Sequence, residues 1–337
     1  MIIRSKNFVL KLEEILKEEL PTERYNEHEN IVLTIIRQWY ANKQVFTHRT
    51  SGSTGRPKKI NISRDKIEIS ARATLSFIDP ENKIKTSLLC LSPLHIGGAM
   101  VIYRSLIFDH DLTIVDPTTE SSEEFANESF DLVSLVPLQF KKLDESQMNR
   151  FKTILIGGAP IATQNVQSNA RIYSTFGMTE TISHIALRPL HEELFMTTGD
   201  NEVAADSKGL LKIRGAITDF KWLTTNDIVT VISNNTFQWI GRYDFVINSG
   251  GIKVNPEDIE RQLKSIVTGE FMIGSLPDEI LGRKIILITN GDEKRIDFSQ
   301  LEKYHRPKAS YFNRQIVRTS SGKLDRLKTQ ELLEQSL

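Results

Sequence analysis

A chain of 337 residues, 39% hydrophobic and 26% charged, has enough apolar surface for a large core and two unequal domains. Its 43 basic and 43 acidic residues cancel, so no long-range field favours nucleic acid or an anionic membrane. The single cysteine, Cys90, excludes an internal disulfide and a cysteine-rich zinc site, and its place in Leu88-Leu89-Cys90-Leu91 is that of a core thiol. The charged start is unlike a secretory leader and no run of about 18 apolar residues is present, so a cytoplasmic enzyme without stable membrane insertion is expected.

In chain order, the opening shows Leu and Ile at helical spacing among charges. Residues 27–41 repeat the pattern with Ile31, Leu33, Ile35, Ile36 and Trp39 near one stripe. A short strand is predicted at 45–47, then a glycine-rich segment at 50–58 and a helix at 63–78 opened by Ser63. Strands at 87–91, 112–115, 132–136, 153–157 and 171–175 alternate with a buried helix at 97–108 and helical turns at 121–129 and 160–168. This alternation predicts a layered α/β body. From about 195 short strands separated by turns (210–214, 228–232, 236–240) predict an antiparallel part. Asn255-Pro256-Glu257-Asp258 is a helix start: Asn255 can cap, Pro256 suits the first turn, and the acids complement exposed amides. Strands at 270–275 and 284–289, a helix near 299–305, and a loop at 320–323 before a short polar helix complete the chain. The domain boundary is placed near 242–245.

The clearest chemical feature is Thr50-Ser51-Gly52-Ser53-Thr54-Gly55-Arg56-Pro57-Lys58. Glycines allow close backbone approach to an anion, hydroxyls donate hydrogen bonds, and Lys58 adds positive charge. The spacing is not that of a Walker A loop. On composition alone an ordinary turn and a phosphate cradle both remain open.

The arrangement resembles the Thr-Ser-Gly-Ser/Thr-Thr-Gly-x-Pro-Lys loop of the adenylate-forming acyl-CoA synthetases. The likeness continues in family order through Ser174-Thr175-Phe176-Gly177-Met178-Thr179-Glu180, Thr225-Asn226-Asp227, Gly241-Arg242-Tyr243-Asp244 and Ser321-Gly322-Lys323-Leu324-Asp325-Arg326, and covers about residues 46–337. It implies an α/β plus α+β architecture: a shortened acetyl-CoA synthetase-like large N-terminal domain, residues 1–242, and a small mobile C-terminal domain, residues 243–337. It also implies ATP with Mg²⁺, CoA as co-substrate and a small carboxylic acid.

Residue by residue, Thr50, Ser51, Gly52, Ser53, Thr54, Gly55 and Lys58 match the phosphate cradle. Thr179 matches the hydroxyl near the adenylate phosphate, and Glu180 the acid that helps hold Mg²⁺. Phe176 stands where tyrosine is commoner; it can stack on adenine but lacks the phenolic hydroxyl. Gly177 follows it, and Gly158 and Ala159 lie in Gly157-Gly158-Ala159-Pro160-Ile161, the floor of the substrate and adenine pocket. Asp227 matches the aspartate that binds both ribose hydroxyls, although Asn226 replaces the usual preceding glycine. Arg242 matches the arginine near ribose and phosphate, and Asp244 the hinge position. Lys323 matches the lysine that neutralises charge between carboxylate and α-phosphate in the first half-reaction, before the small domain turns away for thiol attack.

Ser92-Pro93-Leu94-His95-Ile96-Gly97-Gly98 resembles the segment lining the acyl pocket, with His95 near the acyl and thiol channels. Together with Gly-Gly-Ala-Pro-Ile and Gly-Met-Thr-Glu-Thr it is most similar to the menaquinone-pathway o-succinylbenzoate–CoA ligase branch of the family. That resemblance implies activation of o-succinylbenzoate through an acyl-adenylate and transfer to CoA. Its ring needs an apolar wall and its second carboxylate a donor, for which Arg49, Ser92 and His95 are candidates. A CoA ligase for another aromatic or short-chain acid, a carrier-protein loader and a noncatalytic nucleotide-binding protein are the alternatives. Only about 48 residues precede the phosphate loop, which implies loss of one N-terminal subdomain and a homodimer covering the face it leaves.

Overall fold

A computed structural model describes residues 1–17, 22–49, 59–118, 128–161, 166–319 and 323–337. The chain forms two compact units: one of residues 1–203, 213–223 and 234–236, the other of residues 204–212, 224–233 and 237–337.

The first unit begins with strands β1 (Ile2–Arg4) and β2 (Val9–Lys11), helices α1 (Leu12–Lys17) and α2 (Glu27–Tyr40), and the strand pair β3 (Val45–Arg49) and β4 (Lys59–Ser63). Then follow α3 (Arg64–Ile78), β5 (Thr86–Leu89), α4 (Ile96–Phe108), β6 (Asp111–Ile114), β7 (Phe130–Leu135), the single turns α5 (Pro137–Phe140) and α6 (Glu145–Met148), β8 (Phe151–Ile156), β9 (Arg171–Met178), β10 (Ser183–Pro189) and β11 (Leu194–Thr197). Its sheet has the order β11-β10-β9-β8-β7-β5-β6-β1-β2. Strands β9 through β1 in that order run parallel, and antiparallel partners close both ends.

Burial explains the pattern. Every residue of β7 is buried, as expected for a central strand covered on both faces. Leu132 and Leu155 pack with Leu75 and Ile78 of α3, whereas Val133, Ile154 and Ile156 pack with Phe140 and Met148 on the opposite face. Helix α2 starts with a full capping box: Asn26 accepts from the Glu29 amide at 2.8 Å, and Glu29 accepts from the Asn26 amide at 2.9 Å.

Two sequence expectations are corrected. Residues 2–4 and 9–11 are strands, not helix, because β1 docks beside β6 and buries Ile3 completely. Its helical spacing loses to the exposed edge of the sheet, and the helix begins only at Leu12. Residues 299–305 form turns. Arg306 donates to the carbonyls of Ser299 and Leu301, taking acceptors a helix would use, and Pro307 bars continuation. The helical turn expected at 121–129 falls largely outside the described residues, and in 160–168 the described residues 160–161 and 166–168 are not helical.

Strands β12 (Glu202–Ala205), β13 (Leu210–Arg214), β14 (Leu223–Ser233) and β15 (Thr236–Arg242) are sheet neighbours in chain order. The second unit continues with the hairpin β16 (Ile247–Ser249) and β17 (Ile252–Val254), helix α7 (Pro256–Leu263), strands β18 (Phe271–Asp278), β19 (Gly282–Thr289) and β20 (Ala309–Tyr311), and helix α8 (Arg326–Gln335). Gly250 and Gly251, at φ 61° and 82°, make the two-residue hairpin turn, a conformation that favours glycine at both positions. Asn255 caps α7 by accepting from the Glu257 amide at 2.9 Å, and Pro256 occupies its first turn. The packed side of α7 sets Ile259 and Leu263 against Val254, Ile273, Ile285 and Leu287.

Candidate active site

The phosphate-type loop, with Thr50, Ser51, Gly52, Ser53, Thr54, Gly55 and Lys58, lies outside the described residues. Its frame is described: β3 and β4 pair antiparallel up to Arg49↔Lys59, so the two ends of the segment are held side by side. Below them His48 is buried against Tyr103 of α4, its Nε2 3.0 Å from the phenolic oxygen. Burial, then Lys43, push the His48 imidazole down to about 4, so it is neutral at pH 7.

Thr179 and Glu180 sit on a tight turn between β9 and β10. Thr181 ties it: its Oγ1 accepts from the Met178 amide at 3.0 Å. Ile182 takes the left-handed region at φ 56°. A Cβ at Gly177 would come within 1.7 Å of the Ser183 carbonyl oxygen, so the close return of β10 requires glycine there. The turn buries Thr179 and leaves Glu180 exposed, and the Glu180 carboxylate enters no ion pair among the described residues. No cluster of three metal-binding side chains occurs among them either. One open carboxylate suits Mg²⁺, which takes its other oxygens from water and phosphates.

Phe176 stacks edge-on against Phe195, ring centres 5.8 Å apart. Gly157 and Gly158 end β8. A Cβ on Gly157 would fall 2.6 Å from Thr175 Oγ1, and Gly158 adopts φ 86°. Ala159 follows, half-buried. His95 is exposed at the N-cap of α4, and Gly98 lets that helix press against the Ser92 carbonyl, 2.3 Å from where a Cβ would stand.

Helix α4 carries a residue the sequence reading missed. Arg104 is 2% exposed, and among the described residues neither its Nε nor its Nη1 has a hydrogen-bond partner. Burial lowers its guanidinium to about 10, which still leaves it charged at neutral pH. His184 of β10 lies in its field: burial first and Arg104 second hold that imidazole neutral, and its buried Nδ1 has no partner among the described residues. His184 Nε2 lies 3.9 Å from where a Cβ of Gly157 would stand. A lone arginine directly after the apolar run Ala99-Met100-Val101-Ile102-Tyr103 was the available signal. A buried, unpaired cation is costly unless an anion meets it.

In the second unit Asp227, on the inward face of β14, is 5% exposed and accepts from Trp239 Nε1 at 3.0 Å. Asn226, one residue earlier and outward, donates to both oxygens of Asp244 at 3.2 and 3.4 Å. Arg242 Nη2 donates to Asp244 at 2.6 Å, and the Arg242 amide donates to Glu257 at 2.6 Å. Lys323 lies in the field of Arg242. Burial first, then this cation, lower its pKa. The unit thus brings Asp227, Arg242, Asp244 and Lys323 into one electrostatic neighbourhood, while His95, Gly158, Ala159, Phe176, Gly177, Thr179 and Glu180 belong to the first unit.

The profile of the family described as AMP-binding enzyme matches residues 6–206, more than half of the chain. The chain is 25% identical to a 2-succinylbenzoate–CoA ligase of Bacillus cytotoxicus, over 94% of the chain and 77% of that protein. It is likewise 25% identical to the one of Listeria monocytogenes, over 93% and 74%. Among solved structures it resembles an acyl-CoA synthetase (AMP-forming)/AMP-acid ligase II-like protein from Dyadobacter fermentans, with 29% identity and a TM-score of 0.64 over 96% of this chain and 99% of that one. It shares the fold of the Bacillus subtilis o-succinylbenzoate coenzyme A synthetase solved with ATP and magnesium ion, at 19% identity and a TM-score of 0.68, covering 84% and 69%. No helix among the described residues is long and apolar enough to cross a membrane.

Proposed function

The chain belongs to the AMP-binding enzyme family and is an acyl-CoA ligase, and on that premise we propose that its acid is a dicarboxylate of the o-succinylbenzoate type. The observation that carries this reading is Arg104. A monocarboxylate spends its only charge at the reacting centre and leaves this guanidinium unpaired. A substrate with a second carboxylate would pair it through a charge-assisted hydrogen bond. Apolar neighbours on α4 and the neutral His184 suit an aromatic body. The names of the similar ligases support the same acid.

The reaction then has two steps. The carboxylate attacks the α-phosphate of ATP, forming acyl-AMP and releasing pyrophosphate. The CoA thiol next attacks the activated carbonyl and AMP leaves. Thr50, Ser51, Gly52, Ser53, Thr54, Gly55 and Lys58 hold the phosphates, with Thr179 at the adenylate phosphate. Phe176, Gly177, Gly158 and Ala159 bound the adenine. Asp227 holds the ribose and Arg242 lies beside it. Glu180 would hold Mg²⁺, which supplies charge neutralisation at the phosphates. His95 stands at the acyl and thiol channels. Lys323 belongs to residues 243–337, the segment proposed to turn between the half-reactions. Cytoplasmic location and a homodimer are part of the same proposal, and a concentration-independent monomer in solution scattering overturns the latter.

Pyrophosphate exchange with a panel of acids tests the assignment. Exchange should be strong with o-succinylbenzoate and weak with benzoate and 4-phenylbutyrate, and CoA should convert the adenylate to a thioester. Arg104→Leu should raise KM for o-succinylbenzoate about 100-fold, in line with loss of a buried charge pair, and leave KM for the monocarboxylates unchanged. Turnover of a monocarboxylate in preference to o-succinylbenzoate would sink the assignment.

A further inference from the structure

The ribose role proposed for Asp227 makes a demand on geometry that the neighbouring strand meets. Two adjacent hydroxyls must each donate to one carboxylate, so its plane has to face the diol edge-on. An aspartate can turn about its terminal torsion, which has broad preferences. In this chain the torsion is tied. Trp239, on β15 beside β14, points its indole nitrogen at Oδ1 of Asp227 across 3.0 Å. Among the described residues the carboxylate accepts from this donor alone. Asp227 is also set from behind, since its amide donates to Thr225 Oγ1 at 3.0 Å.

Counting acceptor positions shows what remains. An ionised carboxylate has about four lone-pair positions, two per oxygen. The indole takes one on Oδ1, leaving one there and two on Oδ2, enough for two hydroxyls. An indole nitrogen can donate but cannot accept, so Trp239 does not compete with the hydroxyls for protons. Its ring is half-buried, and the Asp227 side chain is nearly fully buried. The bond therefore forms in partly desolvated surroundings, where a donor to a charged acceptor is stronger than in water.

We propose that Trp239 is a positioning residue for nucleotide recognition: by donating to Asp227 it fixes the carboxylate orientation that reads the ribose diol. The proposal rests on the ribose reading of Asp227. It goes beyond that reading by assigning discrimination between ribose and deoxyribose to a residue outside the quoted motifs.

The test uses the full chain in pyrophosphate exchange with ATP, 2′-deoxy-ATP and 3′-deoxy-ATP. Trp239→Phe keeps an aromatic ring and removes the N–H. It should raise KM for ATP by about tenfold, the scale of one hydrogen bond to a charged group, with kcat and the KM for both deoxynucleotides near their original values. The preference for ATP over the deoxynucleotides therefore collapses. Site-specific replacement of Trp239 by 3-benzothienylalanine, which has the indole shape without its N–H, should give the same result and covers the case in which the phenylalanine variant fails to fold. A KM raised equally for all three nucleotides would mean a packing role and overturns the proposal. Asp227→Asn separates the two layers. If it flattens the ATP preference while both Trp239 variants retain it, the positioning role is overturned and the ribose reading stands. If Asp227→Asn leaves the preference intact, the ribose reading falls and this proposal falls with it.

Discussion

Lysine 323 is held near a second cation, and that placement has a measurable consequence. Burial first and Arg242 second lower its pKa below the ordinary 10.5. For a cation the sign is direct: the charged form exists below the lowered value and is lost as pH rises through it. Adenylation should therefore fall on the alkaline side earlier than an ordinary lysine would allow. Arg242→Gln should move that limb to higher pH while reducing the overall rate, as read from the pH profile of pyrophosphate exchange; an unmoved limb counts against the pairing. Lys323→Ala should lower adenylation by about 100-fold or more, the scale of removing one transition-state charge stabiliser, and spare thiolation from supplied acyl-AMP. Equal loss of both half-reactions would contradict the role. Lys323 was singled out in the sequence because Ser-Gly-Lys-x-Asp-Arg surrounds it. Arg104 was not, since nothing local says whether an arginine in an apolar helix reaches solvent or stays inside. Trp239 escaped notice for a related reason: its partner lies twelve residues away on the adjacent strand, and cross-strand pairing is absent from linear spacing.

Helices and strands were legible where local chemistry and burial agree. Helix α4 and strands β5 to β9 fall within a few residues of their predicted limits because continuous apolar runs bounded by polar turns leave little choice. The opening strands could not be read this way, since β1 depends on β6, more than a hundred residues later. Helix α7 was predicted from its cap, but the buried acid in its first turn acquires its character only from tertiary neighbours. Burial pushes the Glu257 carboxyl up to about 7, aided by Glu260 and Asp227 and opposed by Arg326 and the Arg242 amide. An acid with a raised folded value adds stability that is complete below its unfolded value, near 4.5, and fades as pH rises through about 7. Glu257→Gln keeps an acceptor for Arg242 without the charge. Its stability relative to the parent should rise between those limits by roughly 3 kcal/mol, at about 1.4 kcal/mol per unit of pKa shift. Urea unfolding across pH 5 to 8 measures it, and a pH-independent difference refutes it.

At the scale of the whole chain, a compact α/β body and a second unit are what the alternation of elements led one to expect. The interleaving of residues 204–233 between the units was beyond linear reading, because membership there depends on which strand each segment meets. The composition of the whole chain is balanced, with 43 charges of each sign. Inside that neutral whole, Arg104 is a local imbalance, a buried cation with two nitrogens unsatisfied among the described residues. On the proposed pairing, the acid binds the folded chain and not the unfolded one, and so acts as a folding ligand. At 100 times its dissociation constant it should add about 2.7 kcal/mol to stability. Calorimetry with o-succinylbenzoate and no nucleotide should show the melting temperature rise, and Arg104→Leu should start from a higher baseline and respond less. On the same proposal, linkage in a living cell would tie protein lifetime to supply: chains that meet no acid would open more often and be degraded sooner, so abundance would follow the acid.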